Sequence, residues 1–210
     1  MTDYLSEDEQ IEQIKEWWKD NGVYIFAGVA LGLIGIFSWR GYNSHLDTQA
    51  ATASQHYDDL TRAVGAKNQD NINKNLELLT QDFSNTPYAA QAQLLAAKQA
   101  VIANDLDKAA SALQEVIAVS TDRELTTLAH YRLAKVKFAQ AKYDEVLKEL
   151  NVVKNTDYSG LVAELRGDVY AAQGKTAEAR TAYEAARVAM EETRVGDVNL
   201  IQMKLSDLGS

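Results

Sequence analysis

Histidine, cysteine and clustered carboxylates are the residues that could move protons or hold a metal, and this chain offers few of them. Its 210 residues contain three histidines, His45, His56 and His130, and no cysteine. No histidine pair has the spacing that puts two imidazoles on one helical face, and no carboxylate cluster accompanies any of the three. His56 stands among helix-surface residues with Asp58 and Asp59 close by, and each histidine reads as a satisfied surface or groove residue. Phosphate-cradling, nucleophile-elbow and dinucleotide-binding glycine patterns are also missing. The charged run Glu191-Glu192-Thr193-Arg194 reads as a solvated helix end. The sequence therefore offers no catalytic residue, cofactor or metal site. The enzyme reading would require groups that converge only on folding, in a deep pocket lined by carboxylates or by His130. An open apolar and charged groove would instead favour a binding module.

The element that positions everything else is the stretch from Asn21 to Trp39, which holds no charged residue between Asp20 and Arg40. A helix crossing the roughly 30 Å of bilayer hydrocarbon needs about 20 mostly apolar residues. Trp17 and Trp18 bracket one end and Trp39 the other, where indoles favour the headgroup layers. No basic leader or small-residue cleavage site marks a removable signal. The expectation is a transmembrane helix over 21–39, with Gly28, Gly32 and Gly35 as a small-residue face suited to helix–helix contact in lipid. Lys15 and Lys19 precede the span and Arg40 alone follows it closely, which favours a cytoplasmic tail over 1–20. Within that tail, Ser6-Glu7-Asp8-Glu9 has capping-box spacing, and Ile11, Ile14 and Trp18 share one helical face.

A juxtamembrane helix over 40–55 and a domain over 56–210 complete the expected organisation. The whole chain carries 21 basic and 30 acidic residues; setting aside the tail leaves 19 and 23, a net charge of −4. A mildly acidic domain is a poor partner for nucleic acid, whose binding rests on neutralising phosphates. Abundant Ala, Leu, Gln, Lys and Glu, with Pro87 alone of its kind, argue for an all-α domain.

That domain repeats itself. From Ala97, Ala134 and Gly167, steps of 7, 12 and 16 reach Asn104, Ala109 and Leu113, then Ala141, Val146 and Leu150, then Gly174, Ala179 and Tyr183. The starts lie 37 and 33 residues apart, near the 34-residue period of tetratricopeptide repeats. A small residue lets two antiparallel helices approach, the residue at the turn adopts left-handed geometry, and the large one fills the layer between units. A step of 34 back from Ala97 gives Ala63, with its turn expected at Asp70 and with Asn75, Leu79 and Pro87 following, a degenerate further unit. Val198, Ile201, Leu205 and Leu208 form the stripe of a last capping helix, from which Gln202, Lys204, Ser206 and Asp207 are expected to face away.

In such a stack the first helix of each unit lines the concave face. The expected groove positions are Gln91, Leu94, Lys98 and Val101, then Leu128, Tyr131, Lys135 and Phe138, then Leu161, Glu164, Asp168 and Ala171. Leu94, Leu128 and Leu161 read as core between units. Tyr131, Lys135 and Phe138 stand out as recognition residues, because a lysine beside two aromatics is unusual for a core.

The chain also resembles a known family. Asn21-Gly22, GVALG at Gly28 to Gly32, WRGYNSH from Trp39, LAKVKFAQAKYDEVLKEL from Leu133, ELRGDVYAAQGK from Glu164 and IQMKLSDL from Ile201 run along nearly the whole chain in the family's order. They are similar to the YfgM-type family of ancillary subunits of the bacterial Sec translocon. The resemblance implies a single-pass inner-membrane anchor in the lipid bilayer, a periplasmic C-terminal domain, and association with the Sec translocon. It further implies a membrane-bound periplasmic chaperone of the prolyl-isomerase type as partner. Exported polypeptides are a further candidate partner of an interaction module beside the export channel. A scaffold for another envelope assembly, or a cytoplasm-facing regulatory scaffold, is the alternative.

Overall fold

The computed structural model describes residues 7–209, so the expected capping-box Ser6 lies outside the described residues. Helix α1 runs over Glu7–Gly65, followed by α2 (Gln69–Gln81), α3 (Pro87–Ile102), α4 (Leu106–Val119), α5 (Arg123–Ala139) and α6 (Tyr143–Val152). A short 3-10 turn at Thr156–Tyr158 leads to α7 (Ser159–Ala172), α8 (Thr176–Thr193) and α9 (Val198–Asp207). The chain is all-α among the described residues and divides into two compact units, residues 1–51 and 52–210.

In the first unit α1 carries an apolar stretch long enough to cross a membrane, yet almost none of it is buried. Val23, Phe26, Leu31, Ile34 and Phe37 are all more than half exposed or close to it. A helix that turns large apolar side chains outward all round has lipid, not a protein core, as its solvent.

The second unit is a stack of helical hairpins. The end of α1 pairs with α2, α3 with α4, α5 with α6 and α7 with α8, each hairpin closed by one left-handed residue. These are Lys67, Asn104, Ala141 and Gly174, with φ of 54°, 57°, 57° and 73°. At every turn the next residue's amide reaches back to the carbonyl five positions earlier: Asn68 to Ala63, Asp105 to Ala100, Lys142 to Lys137 and Lys175 to Tyr170, at 2.8–2.9 Å. This is the Schellman arrangement, which satisfies carbonyls that a helix end leaves free. Asn68 and Asp105 then cap the following helices by accepting from the amides of Asn71 and Lys108.

The turns correct one expectation. The first hairpin turns at Lys67, three residues before Asp70, which instead lies in the first turn of α2. Its anchor by this register is Leu60, 37 residues before Ala97, and Leu60 is buried. A three-residue shift keeps a residue close to the same helical face, so Ala63 is buried too and the pattern alone could not separate them.

Small meets large inside each later hairpin. Ala97 shares a core cluster with Leu113, and Ala134 shares one with Leu150. Gly167 faces the ring of Tyr183 so closely that a Cβ there would lie 2.4 Å from Cδ1.

Helix α9 covers the open end of the stack. Ile201 and Leu205 are buried with Tyr183, Ala186 and Met190 of α8, and Asp197 caps the helix by accepting from the amides of Asn199 and Leu200. Here a second expectation fails, because Lys204 does not face away. Its Nζ lies 2.7 Å from Glu164 Oε1 and 2.6 Å from Asp168 Oδ1 on α7, while the Tyr183 hydroxyl donates to Asp168 at 2.8 Å. Lys204 stands one position before Leu205, on the flank of the buried stripe, from where a long side chain reaches across. Burial alone would lower the pKa of this ammonium, but the two carboxylates outweigh it and hold the pKa above the usual lysine range. Burial, and then Asp168, push the Tyr183 phenol upward.

Gly167→Ala is expected to destabilise the second unit by about 1–3 kcal/mol through overpacking against Tyr183, read as a lower urea midpoint with an unchanged slope. Lys204→Met is expected to cost about 1–3 kcal/mol, between the values for exposed and buried pairs, because two half-buried carboxylates lose their shared cation. In the native state Lys204 and Tyr183 both hold their protons more tightly than in the unfolded chain. Their contribution is therefore complete below the ordinary lysine and tyrosine values, near 10.5 and 10.0, and is lost as pH rises through the higher native ones. Urea midpoints between pH 8 and about pH 11 should fall in the native chain, and less steeply in Lys204→Met.

Candidate protein-binding groove

Helices α3, α5 and α7 are the first members of their hairpins, and the structure places the twelve expected groove residues unevenly along them. On α3, Leu94 is buried in the core with Ala97, Gln91 is half-buried, and Lys98 and Val101 are exposed. On α5, Leu128 packs half-buried against the same core and Lys135 is exposed. Tyr131 meets Tyr158 edge to face, at 5.6 Å between ring centroids, and Phe138 lies 5.9 Å from Tyr143. These two aromatics thus spend much of their surface on neighbouring helices of their own chain. Burial, and then the carboxylates of Glu164 and Asp168, push the Tyr131 phenol up to about 12. On α7, Leu161 and Ala171 pack against the last core cluster, and Glu164 and Asp168 are held by Lys204.

One open cleft, of about 430 Å3, lies between α3 and α5. It brings together four of the expected residues, Leu94, Lys98, Val101 and Lys135. Ile102, Leu106, Leu113, Val136 and Ala139 extend its apolar floor. Arg132 joins Lys98 and Lys135 at the rim, and no carboxylate lines the cleft. Arg132 was not among the expected groove residues, yet a signal for it exists. Around Lys98, Arg132 and Lys135, the positions three and four residues away on either side carry no acidic residue, so none has a helical neighbour to neutralise it.

Two of the three histidines, His56 and His130, serve as bridges inside hairpins, while His45 is exposed on α1. His130 Nδ1 lies 2.7 Å from Glu149 Oε2, joining α5 to α6. His56 Nδ1 lies 3.3 Å from Asn75 Oδ1, joining α1 to α2, and its ring also packs against Phe83. Each bridging histidine stands eleven residues before its left-handed turn residue and each partner eight after it, so one repeat position is used twice. Asn75, an awkward residue for its place in the repeat, is buried but satisfied, its amide donating to the Asn71 carbonyl at 2.9 Å. Among the described residues no group of three metal-binding side chains converges.

On α1, a side-chain carbon added at Gly28, Gly32 or Gly35 would meet nothing within 4 Å. That leaves a shallow, unfilled strip along an outward-facing apolar helix, and Trp18 packs edge-on against Phe26 at its start.

Comparison with known proteins agrees with this geometry. A family model described as a tetratricopeptide repeat-like domain matches residues 15–210. The ancillary SecYEG translocon subunit of Haemophilus influenzae is 33 % identical over 204 residues, covering 97 % of this chain and 98 % of the relative. The protein of the same name from Escherichia coli is 33 % identical over 205 residues, covering 98 % of each. That of Neisseria gonorrhoeae is 33 % identical over 209 residues, covering 99 % of this chain and all of the relative. No solved structure gives a significant match. With a lipid-suited helix joined to a stack of tetratricopeptide-like hairpins along the full length of these relatives, the chain is a membrane-anchored member of the ancillary SecYEG translocon subunit family.

Proposed function

We propose that this chain is a membrane-tethered interaction module of the Sec translocon, with residues 1–20 in the cytoplasm and the hairpin stack in the periplasm. There it bridges the translocon to a membrane-bound chaperone of the prolyl-isomerase type or to exported polypeptides. The observation that carries the reading is the pairing of an outward-facing apolar helix with a solenoid whose open cleft has an apolar floor and a cationic rim. The names of the relatives support the translocon as partner. The two lysines before the span, against Arg40 after it, support the orientation. The cleft's polar side chains are cations alone, without histidine or carboxylate, which favours recognition over proton-transfer chemistry. The anchor contributes as well, since Gly28, Gly32 and Gly35 offer a partner helix a strip where backbones can approach closely.

Protease added to spheroplasts is expected to digest residues 52–210 and spare the tail; survival of the domain until the membrane is ruptured would invert the topology and favour a cytoplasm-facing regulatory scaffold. Affinity purification of the full chain from detergent-solubilised membranes is expected to recover the translocon. Recovery of a different envelope assembly in its place would assign the chain to that assembly. Gly28→Leu with Gly32→Leu is expected to insert normally and to recover several-fold less translocon. Undiminished recovery would move the contact away from this strip.

A further inference from the structure

Three junctions between successive first helices can be laid over one another, with the left-handed turn residues as the ruler. Ten and six residues before Asn104, Ala141 and Gly174 stand Leu94 and Lys98, Tyr131 and Lys135, and Glu164 and Asp168. Across the last junction, Ile201 and Leu205 of α9 and Leu208 just after it pack in the cluster that contains Tyr183. Across the first, Ala129, Leu133 and Val136 of α5 pack with the same spacing on the cluster that contains Leu113. Tyr183 and Leu113 each lie nine residues after their turn residue. In this alignment Arg132 occupies the place of Lys204, and Lys98 the place of Asp168.

The last junction is closed by opposite charges, with Lys204 Nζ at 2.6–2.7 Å from both carboxylates. The first repeats the helix packing with the charge pattern broken. A cation stands where the carboxylate would be, and the space between the helices stays open as the 430 Å3 cleft. Lys98, Arg132 and Lys135 all line that cleft, all three are exposed, and no carboxylate of the described residues shares the cleft with them. This occurs in a chain of net charge −9, so a cleft whose charged side chains are all cations runs against the overall balance.

We infer that the cleft between α3 and α5 is the binding site for an acidic, aliphatic polypeptide segment. A carboxylate of the ligand settles among Lys98, Arg132 and Lys135 and supplies the anion that Asp168 supplies at the other end of the stack. Its neighbouring aliphatic side chain covers Leu94, Val101 and Val136. Charge-assisted contacts fix the register, and the apolar floor adds affinity without strong sequence demands. This assignment rests on the reading of the domain as an interaction module and names the chemistry of its ligand.

The test uses the full chain in a neutral detergent with a short dye-labelled peptide of Leu, Ala and Glu, a counterpart with Gln in place of Glu, and one with Lys in place of Glu. Fluorescence anisotropy is expected to show the Glu peptide binding at least about tenfold more tightly than the Gln peptide, with a strong loss at raised salt. Lys98→Glu with Lys135→Glu should abolish that preference and gain binding of the Lys peptide, while the helical circular-dichroism signal is kept. Equal binding of the Glu and Gln peptides, or a preference that survives the charge reversal, overturns the assignment. So does capture of the unmodified chain by anionic phospholipid vesicles but not by the Glu peptide, which would make the cations a lipid-facing patch. Translocon recovery is read in parallel: if it persists without any peptide preference, the cleft assignment alone falls, whereas if the unmodified chain recovers no translocon, the tethering reading itself falls.

Discussion

Each of the three later hairpins depends on one close crossing, where a residue with little or no side chain on the first helix meets a bulky one on the second. At Gly167 the crossing leaves no room for a single extra carbon against Tyr183. Ala97 with Leu113 and Ala134 with Leu150 are gentler versions of the same contact. Dispersion between closely packed atoms is weak pair by pair and large in sum, so the approach distance sets how much apolar surface each hairpin removes from water. The left-handed turn residue then fixes which residues reach the crossing. Hairpins of one register stack into a continuous core, and the groove between first helices follows from that stacking.

The units whose turns carry chemistry of their own were legible in the sequence. Gly174 and Asn104 are residues that adopt left-handed geometry readily, and both turn where expected. Lys67 adopts the same geometry with no composition to advertise it, so the first hairpin could be placed only to within a helical turn. The capping helix was visible through its apolar stripe, but the partner of Lys204 was not. A cation on the flank of a stripe can point to water or reach over the neighbouring helix, and only the position of α7 decides between them. For the groove, single-helix spacing found Lys98 and Lys135 and passed over Arg132, because membership of a cleft belongs to two helices at once. Tyr131 and Phe138 looked like free recognition residues for the same reason: Tyr158 and Tyr143 come from segments that spacing along α5 cannot see.

The two units obey opposite solvent rules. Along 21–39 the large side chains face outward and the glycines leave hollows, a pattern that is stable only where the surroundings are themselves apolar. From Ala53 onward the same helix turns small and aliphatic residues inward, with Ala53 and Leu60 buried beside Leu79 and Ala92. The change falls within one uninterrupted run of backbone hydrogen bonds, so side-chain size and polarity, and no break in the chain, mark the boundary.

The contact between α9 and α7 has a consequence for how the domain is made. Most helices of the stack touch chiefly those adjacent in the chain, a low-contact-order arrangement that can assemble piece by piece while the chain is still being delivered. The ion pairs of Lys204 are an exception, because they join residues 36 and 40 positions apart. Until α9 arrives, Glu164 and Asp168 lack their cation and the apolar face around Met190 lacks its cover. Helix α9 therefore acts as a late staple: α7 and α8 pair through a local turn, and their charges and apolar face are satisfied only when it docks.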